Sequence, residues 1–199
     1  MNSQLNLQPT AVTHNVGLSA AEHIWGKADA PITLLEYGDY ECDACAQAEP
    51  VAHHLVDTCG SKLRFVFRHF PLVEVHPHSE LAAEAAEAAA AQGKFWEMHH
   101  LLFSAPHHLK LTHLRKHAET IGLDMIRFDA EMGDRIYTQR IQEHRRAALQ
   151  TGLRTTPAFF LNGKLVDVSF GYEKLEEAIQ ALTSNKAKTN TMRHTSASA

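Results

Sequence analysis

The sequence predicts an α/β fold whose sheet domain is interrupted by an all-helical insertion. Three observations carry this reading. A short apolar run, Pro31 to Tyr37, leads at once into a helix-period segment and then into a second β-rich run, Leu63 to Phe67; strand, helix, strand in that order makes a right-handed parallel crossover. From 76 to 152 the pattern is helical almost throughout, a size within the ordinary range of a subdomain. Beyond it two short β-rich runs meet at Asn162-Gly163, the dipeptide that most strongly marks a tight hairpin.

Taken in order, residues 1–28 mix polar with scattered apolar side chains and show no sustained period, so they read as an arm, ordered only where Ile24 and Trp25 find a groove. Domain structure is expected over 29–183. PITLLEY has the length and β-richness of a strand buried on both faces, hence a central one. From Asp43 to Cys59, Ala44, Ala48, Val51, Ala52, Leu55 and Val56 recur at i+3/i+4 spacing and Gly60 closes the helix. Pro50 inside it lacks an N–H donor and is expected to bend it. Within the insertion, SELAAEAAEAAAAQ, KFWEMHHLLFS, LTHLRKHAETIG and the run from Asp124 to Thr151 are separate helices, divided by Gly93, the Ala105-Pro106 step and Gly122. The hairpin joins Ala158–Leu161 to Lys164–Val168, and an amphipathic helix follows from Tyr172 to Leu182. Residues 184–199 are polar and small and are expected to be disordered.

A chain of 199 residues with 44% hydrophobic content can bury one domain core. The formal charge of −4 offers no basic stripe, so no nucleic-acid partner is expected, although fifteen histidines would shift the balance in mild acid. The Ala-rich stretch Leu81 to Ala91 carries Glu84 and Glu87 and falls short of the ~20 apolar residues a spanning helix needs, so no membrane partner is expected either. Before Lys27 there is neither a charged n-region nor an apolar h-region, and the expectation is a cytoplasmic protein. Three cysteines cannot form a disulfide scaffold; two of them lie in a CxxC, which points to redox or metal chemistry.

Cys42-Asp43-Ala44-Cys45 falls where a buried strand ends and a helix begins, beside unpaired backbone N–H groups and the positive helix end. Thiolate is favoured there: moving a cysteine from about 8.5 to about 7 takes roughly 2 kcal/mol. Asp43 opposes this with its negative charge. One helical turn brings Cys45 close enough to attack a mixed disulfide at Cys42. Thr156-Pro157 opens a β-run, where proline needs a special reason; a cis peptide is one, and it would expose the Thr156 backbone to an extended substrate. Glu36 is an acid in the middle of a buried-looking strand, so its pKa should be raised and it could take the proton of Cys45.

PITLLE followed by GDYECDAC, then FVFRHFPL, AAEAAEAAAAQGKFWEMHHLLF, and TTPAFFLNGKLV before a final helix, resembles the DsbA-like branch of the thioredoxin superfamily over about Ala30 to Leu182. The resemblance implies a thioredoxin fold with a helical insertion and a thiol–disulfide oxidoreductase without a cofactor. It makes Cys42 the nucleophile, Cys45 the resolving thiol, Pro157 a cis-proline facing the pair, and Glu36 the buried acid. Partners would be thiols and disulfides of proteins or small molecules, glutathione among them, and a reducing cytosol would favour reduction or isomerisation. The chain departs from DsbA in its Asp-Ala dipeptide, where DsbA has a proline and a histidine, and in matching no signal peptide.

Two other readings stay open. The fold also resembles glutathione-dependent isomerases and kappa-type transferases, in which Cys45 would be dispensable. A non-enzymatic metal-holding or chaperone-like module would use Cys42, Cys45, Cys59 and a histidine, or His113 and His117 at i,i+4; no second spaced ligand pair stands out, so no metal is expected. Cys59 reads as a small buried hydrophobe at a helix end, and Phe65, Phe67, Phe70 and Phe95-Trp96 as core.

Overall fold

The computed structural model describes residues 21–195, with side chains described as far as residue 184. Its centre is the apolar run read from the sequence: β2 (Ile32–Gly38) pairs in parallel with β3 (Leu63–His69) on one side and antiparallel with β4 (Ala158–Leu161) on the other. Flanked on both edges, β2 hides its backbone groups and alternates its side chains between two cores. Leu34 joins Phe65, Phe67 and Phe159 on one face; Leu35 and Tyr37 join Val66 and Phe160 on the other. Each fully buried Phe or Leu here contributes about 1.5–3 kcal/mol relative to leaving it in water.

The first face is covered by α1 (Asp43–Cys59), whose Cys45, Ala48, Ala52, Leu55 and Val56 point inward at the expected helical spacing. α1 runs unbroken through Pro50. Five helices make the insertion: α2 (Ser79–Ala90), α3 (Phe95–Ser104), α4 (Leu111–Thr120), α5 (Met125–Asp134) and α6 (Thr138–Gln150). α2 is buried along almost its whole length and packs against each of the other four. Its alanines make that possible, because small side chains let helix axes approach to ~8 Å. Ala148 of α6 closes the second face of the sheet beside Phe160.

At the edges the structure departs from the sequence reading. β1 (His23–Gly26) pairs antiparallel with β3, so the sheet begins inside the stretch 1–28 expected to be an arm. Four residues are too few to show a period; the pairing is supplied by the open edge of β3. Gly26 has φ +93, and a Cβ there would sit 2.9 Å from the Leu63 carbonyl, so only glycine allows this close approach. The sheet order is β1-β3-β2-β4-β5, with β5 (Lys164–Val166) ending two residues before its expected limit. The last helix, α7 (Glu173–Thr195), continues into the stretch 184–199 expected to lack order. Nothing between Gly171 and Thr195 breaks a helix, there being neither proline nor glycine; residues 196–199, like 1–20, lie outside the described ones. No helix among the described residues is long and apolar enough to cross a membrane.

Candidate active site

β2 delivers the chain to the end of the sheet at Gly38, and the turn Asp39–Glu41 redirects it into α1. Asp39 holds that turn. It is buried, its Oδ1 accepts from the Glu41 N–H at 2.8 Å, and its Oδ2 accepts from the Leu72 N–H at 2.8 Å and pairs with His76 Nδ1 at 2.9 Å. Glu41 makes a parallel tie, accepting from the His78 N–H at 2.7 Å and pairing with His78 Nδ1 at 2.9 Å. The segment after β3 is thereby tied to the start of α1. Neither Asp39 nor His76 emerged from the sequence as a site residue; the one available signal was an Asp in a pre-helical turn, a residue that commonly bonds backbone N–H groups two positions on.

Cys42 is the N-cap residue of α1, with φ −93 and ψ 117, and no side-chain cap takes the free N–H groups of the first turn. Those donors therefore face the Cys42 sulfur. Cys42 is 9% exposed and Cys45, one turn on, is 0% exposed, so only the first sulfur can meet a partner. Both are reduced. The Cys42 pKa is lowered to about 5: the Cys45 thiol hydrogen-bonds the sulfur, and Thr156 and the backbone N–H groups of Cys45 and Ala44 outweigh the opposing effect of burial. Asp43, expected to oppose the thiolate, has a largely exposed side chain facing His107, where water screens its charge. Burial pushes the Cys45 thiol well up, and its hydrogen bond to Cys42 and the charge of Glu36 add to that.

The structure gathers the other sequence-selected residues around this pair. The Thr156-Pro157 peptide is cis, and the Cys42 thiol donates to the Thr156 carbonyl at 3.6 Å. The Thr156 hydroxyl is buried and has no partner other than the Cys42 sulfur, whose anionic form it favours. Glu36, 1% exposed, shares the face of Leu34 and so lies beneath α1; its Oε1 has no partner either. Burial raises its pKa well above the carboxylate range, with Cys42 and Glu49 adding to the effect. Tyr172, just before α7, donates to the Ala44 carbonyl at 3.0 Å, and its pKa is pushed up to about 12 by burial and by Glu36, Cys45 and Cys42. His76 has a raised pKa: burial pulls it down, but the bond to Asp39 and the charges of Asp39, Cys42 and Glu41 outweigh this.

Neither metal reading left open by the sequence is matched by three converging ligands among the described residues. No group of three converging ligands among the described residues contains a cysteine, and neither His113 nor His117 belongs to one. Cys59, at the far end of α1 from the pair, is partly buried.

A family model described as thioredoxin matches residues 19–181. A thioredoxin-like oxidoreductase from Silicibacter pomeroyi is similar in structure at a TM-score of 0.73 and 26% identity, over 83% of this chain and 94% of that one. The thiol-disulfide exchange protein alpha-DsbA2 from Wolbachia pipientis has a TM-score of 0.73 at 20% identity, over 82% of this chain and 88% of that one. Among curated sequences, the Na(+)/H(+) antiporter NhaA 1 of Salinispora arenicola is 43% identical over 158 residues, which are 79% of this chain and 24% of the antiporter. The chain thus spans about a quarter of the length of the curated relatives it matches.

These likenesses correct the expected location. DsbA-like oxidoreductases, whose fold this is, act outside the cytoplasm, so the cytoplasmic assignment falls, and the leaning towards reduction that rested on it falls too. With a matched span of 19–181, a closely spaced cysteine pair at the head of α1 and a helical insertion between the halves of the sheet, the chain belongs to the thioredoxin family and has the DsbA-like fold.

Proposed function

We propose that the chain is a thiol–disulfide oxidoreductase that works through reversible exchange at Cys42 and Cys45. The observation that carries this is the contrast between two neighbouring sulfurs: one accessible with a pKa near 5, the other sealed with a raised one. In the reducing direction the Cys42 thiolate attacks one sulfur of a partner disulfide. A Cys42–partner bond forms, the partner's S–S bond breaks, and its other sulfur leaves as thiolate. Cys45 then gives up its proton and attacks the Cys42 sulfur, forming the Cys42–Cys45 disulfide and releasing the second partner thiolate. Glu36, beneath the pair with an unpartnered oxygen, is the group in place to take that proton. Run backwards, the same steps oxidise a partner dithiol.

Thr156 has two parts in this reading. Its carbonyl holds the Cys42 thiol, and its hydroxyl, without another partner, stabilises the thiolate. Pro157, joined to Thr156 by the cis peptide, leads into the head of β4. Partners are proteins or small molecules with accessible thiols or disulfides. Ion transport, which the antiporter relatives' name states for proteins about four times as long, is not proposed for these residues.

Disulfide exchange measured by insulin reduction tests the reading. Cys42→Ser is expected to abolish turnover, and Cys45→Ser to accumulate a covalent Cys42–partner species visible by mass spectrometry. Full activity in Cys42→Ser would overturn the proposal; normal turnover in Cys45→Ser would favour a glutathione-dependent single-cysteine enzyme.

A further inference from the structure

Two clusters of potential metal ligands lie away from the cysteine pair's chemistry, and they differ in kind. In the first, Glu87 Oε1 is met by His23 Nε2 at 2.9 Å, His69 Nε2 at 2.9 Å and Arg140 Nε at 2.8 Å. Three donors converge on one acceptor there, and the guanidinium stands where a cation would have to go. That cluster is a satisfied ion-pair network. The second, Glu49, His53 and His100, has no such occupant.

Glu49 and His53 are one turn apart on α1, and His100 comes across from α3. Glu49 Oε1, His53 Nε2 and a His100 ring nitrogen all lie within 4.8 Å of one another. His53 Nε2 stands 3.4 Å from Glu49 Oε1, and His100 Nδ1 approaches the same oxygen closely. Even so, Glu49 Oε1 and His53 Nε2 are both buried atoms that make no hydrogen bond. His53 and His100 thus crowd one carboxylate oxygen at ion-pair range without hydrogen-bond geometry. Buried polar atoms without a hydrogen bond are costly, and a cation held by all three side chains would satisfy them together.

The dimensions say what. Zinc holds imidazole nitrogen and carboxylate oxygen at about 2.0–2.2 Å in tetrahedral geometry, which sets neighbouring ligand atoms ~3.4 Å apart. That is the His53–Glu49 separation, whereas His100 Nδ1 lies closer to Glu49 Oε1 than two ligands of one ion do, so His100 has to move outward to join the set. Two imidazoles and one carboxylate are a common three-ligand set for such ions, the fourth position being left to water. His100 is 43% exposed and can swing to admit the ion, whereas Glu49 and His53 are 14% and 15% exposed and fixed by the helix. Trp25 forms one wall, its ring 4.4 Å from that of His53 and 5.9 Å from that of His100, centroid to centroid. We infer that Glu49, His53 and His100 bind a divalent transition-metal ion of the zinc type, which fastens α3 of the helical insertion to α1 of the thioredoxin core.

This inference stands apart from the redox proposal and is tested without it. The full chain carrying Cys42→Ser and Cys45→Ser, made without a polyhistidine tag, is titrated with Zn²⁺ by calorimetry and with Co²⁺ by visible absorption. Trp25 fluorescence is followed in parallel. One ion per chain is expected, with a Co²⁺ band of four- or five-coordinate intensity and a change in Trp25 emission. Glu49→Gln and His100→Ala should each weaken Zn²⁺ binding by about tenfold or more, while His113→Ala should not. Absence of one-to-one binding in the Cys42→Ser/Cys45→Ser chain overturns the inference whether or not the further variants fold, and so does binding that survives both Glu49→Gln and His100→Ala.

Discussion

Cys42 has its pKa lowered by groups that the fold brings to it, above all the Cys45 thiol one turn away, with Thr156 and the backbone N–H groups of the first helical turn. The side chains of the intervening dipeptide do not supply this, Asp43 being acidic and Ala44 a bare methyl; Ala44 contributes only its backbone N–H. A fall from 9.0 to about 5 has a redox consequence. At pH 7 it favours the reduced pair by about 3 kcal/mol relative to an unperturbed thiol, which is ~60 mV towards an oxidising couple. Glu36 makes a second prediction at this scale. Glu36→Gln keeps the shape but cannot take a proton, so decay of a preformed Cys42–partner disulfide should slow at least about tenfold, while alkylation of Cys42 stays near its original rate. Stopped-flow decay of the mixed disulfide reads this; an unchanged rate would leave Glu36 a structural acid.

At the scale of elements, the strand and helix carrying the cysteines were legible because their information is local. PITLLEY and the i+3/i+4 spacing after Asp43 each fit one periodicity, and Asn162-Gly163 is a turn signal complete in itself. The features missed are those in which two distant elements supply one arrangement. β1 exists because β3 has an open edge. Asp39 matters because residues 72 and 76 return to it. The convergence of Glu49 and His53 with His100 needs the packing of α3 on α1, which no spacing within either helix reveals. α2 gives the clearest case: Glu84 and Glu87 read as interruptions of an alanine run, yet Glu84 is 0% exposed. Arg135 reaches it with Nε at 2.9 Å from both carboxylate oxygens, and Thr138 donates at 3.1 Å. Arg135 is half exposed, so its removal opens the site to water, and Glu84 keeps the Thr138 hydroxyl; leaving the buried Glu84 carboxylate short of a partner then costs about 1–3 kcal/mol. Arg135→Ala should therefore lower stability by about that amount in urea unfolding, and Glu84→Gln in the same chain should restore part of it by removing the stranded charge. Equal losses in both would show that Arg135 acts through packing alone.

The whole molecule places a sulfur chemistry at the end of a sheet that is shielded on both faces, with the helical insertion over one of them and α6 reaching the other. Folding and ionisation are linked through that placement. In the unfolded chain the Cys42 thiol titrates near 9.0 and in the folded chain near 5; its contribution to stability is present above the former and lost as pH falls through the latter. The reduced protein should therefore lose stability relative to the oxidised protein between pH 9 and pH 5. Carboxylates and histidines away from the pair contribute equally to both forms and cancel in that difference, whereas Glu36 and His76, which feel the Cys42 charge, do not. Urea midpoints of the two forms across this range provide the check, and a pH-independent difference would contradict the linkage. The most direct test of the central claim is the rate of iodoacetamide alkylation of the reduced chain as a function of pH, with the modified cysteine assigned by mass spectrometry. Cys42 is expected to react first, with a midpoint near pH 5, ahead of the partly buried Cys59, and Cys45 is expected to stay protected beyond pH 9; a midpoint at 8 or above, or modification of Cys45 first, would contradict this.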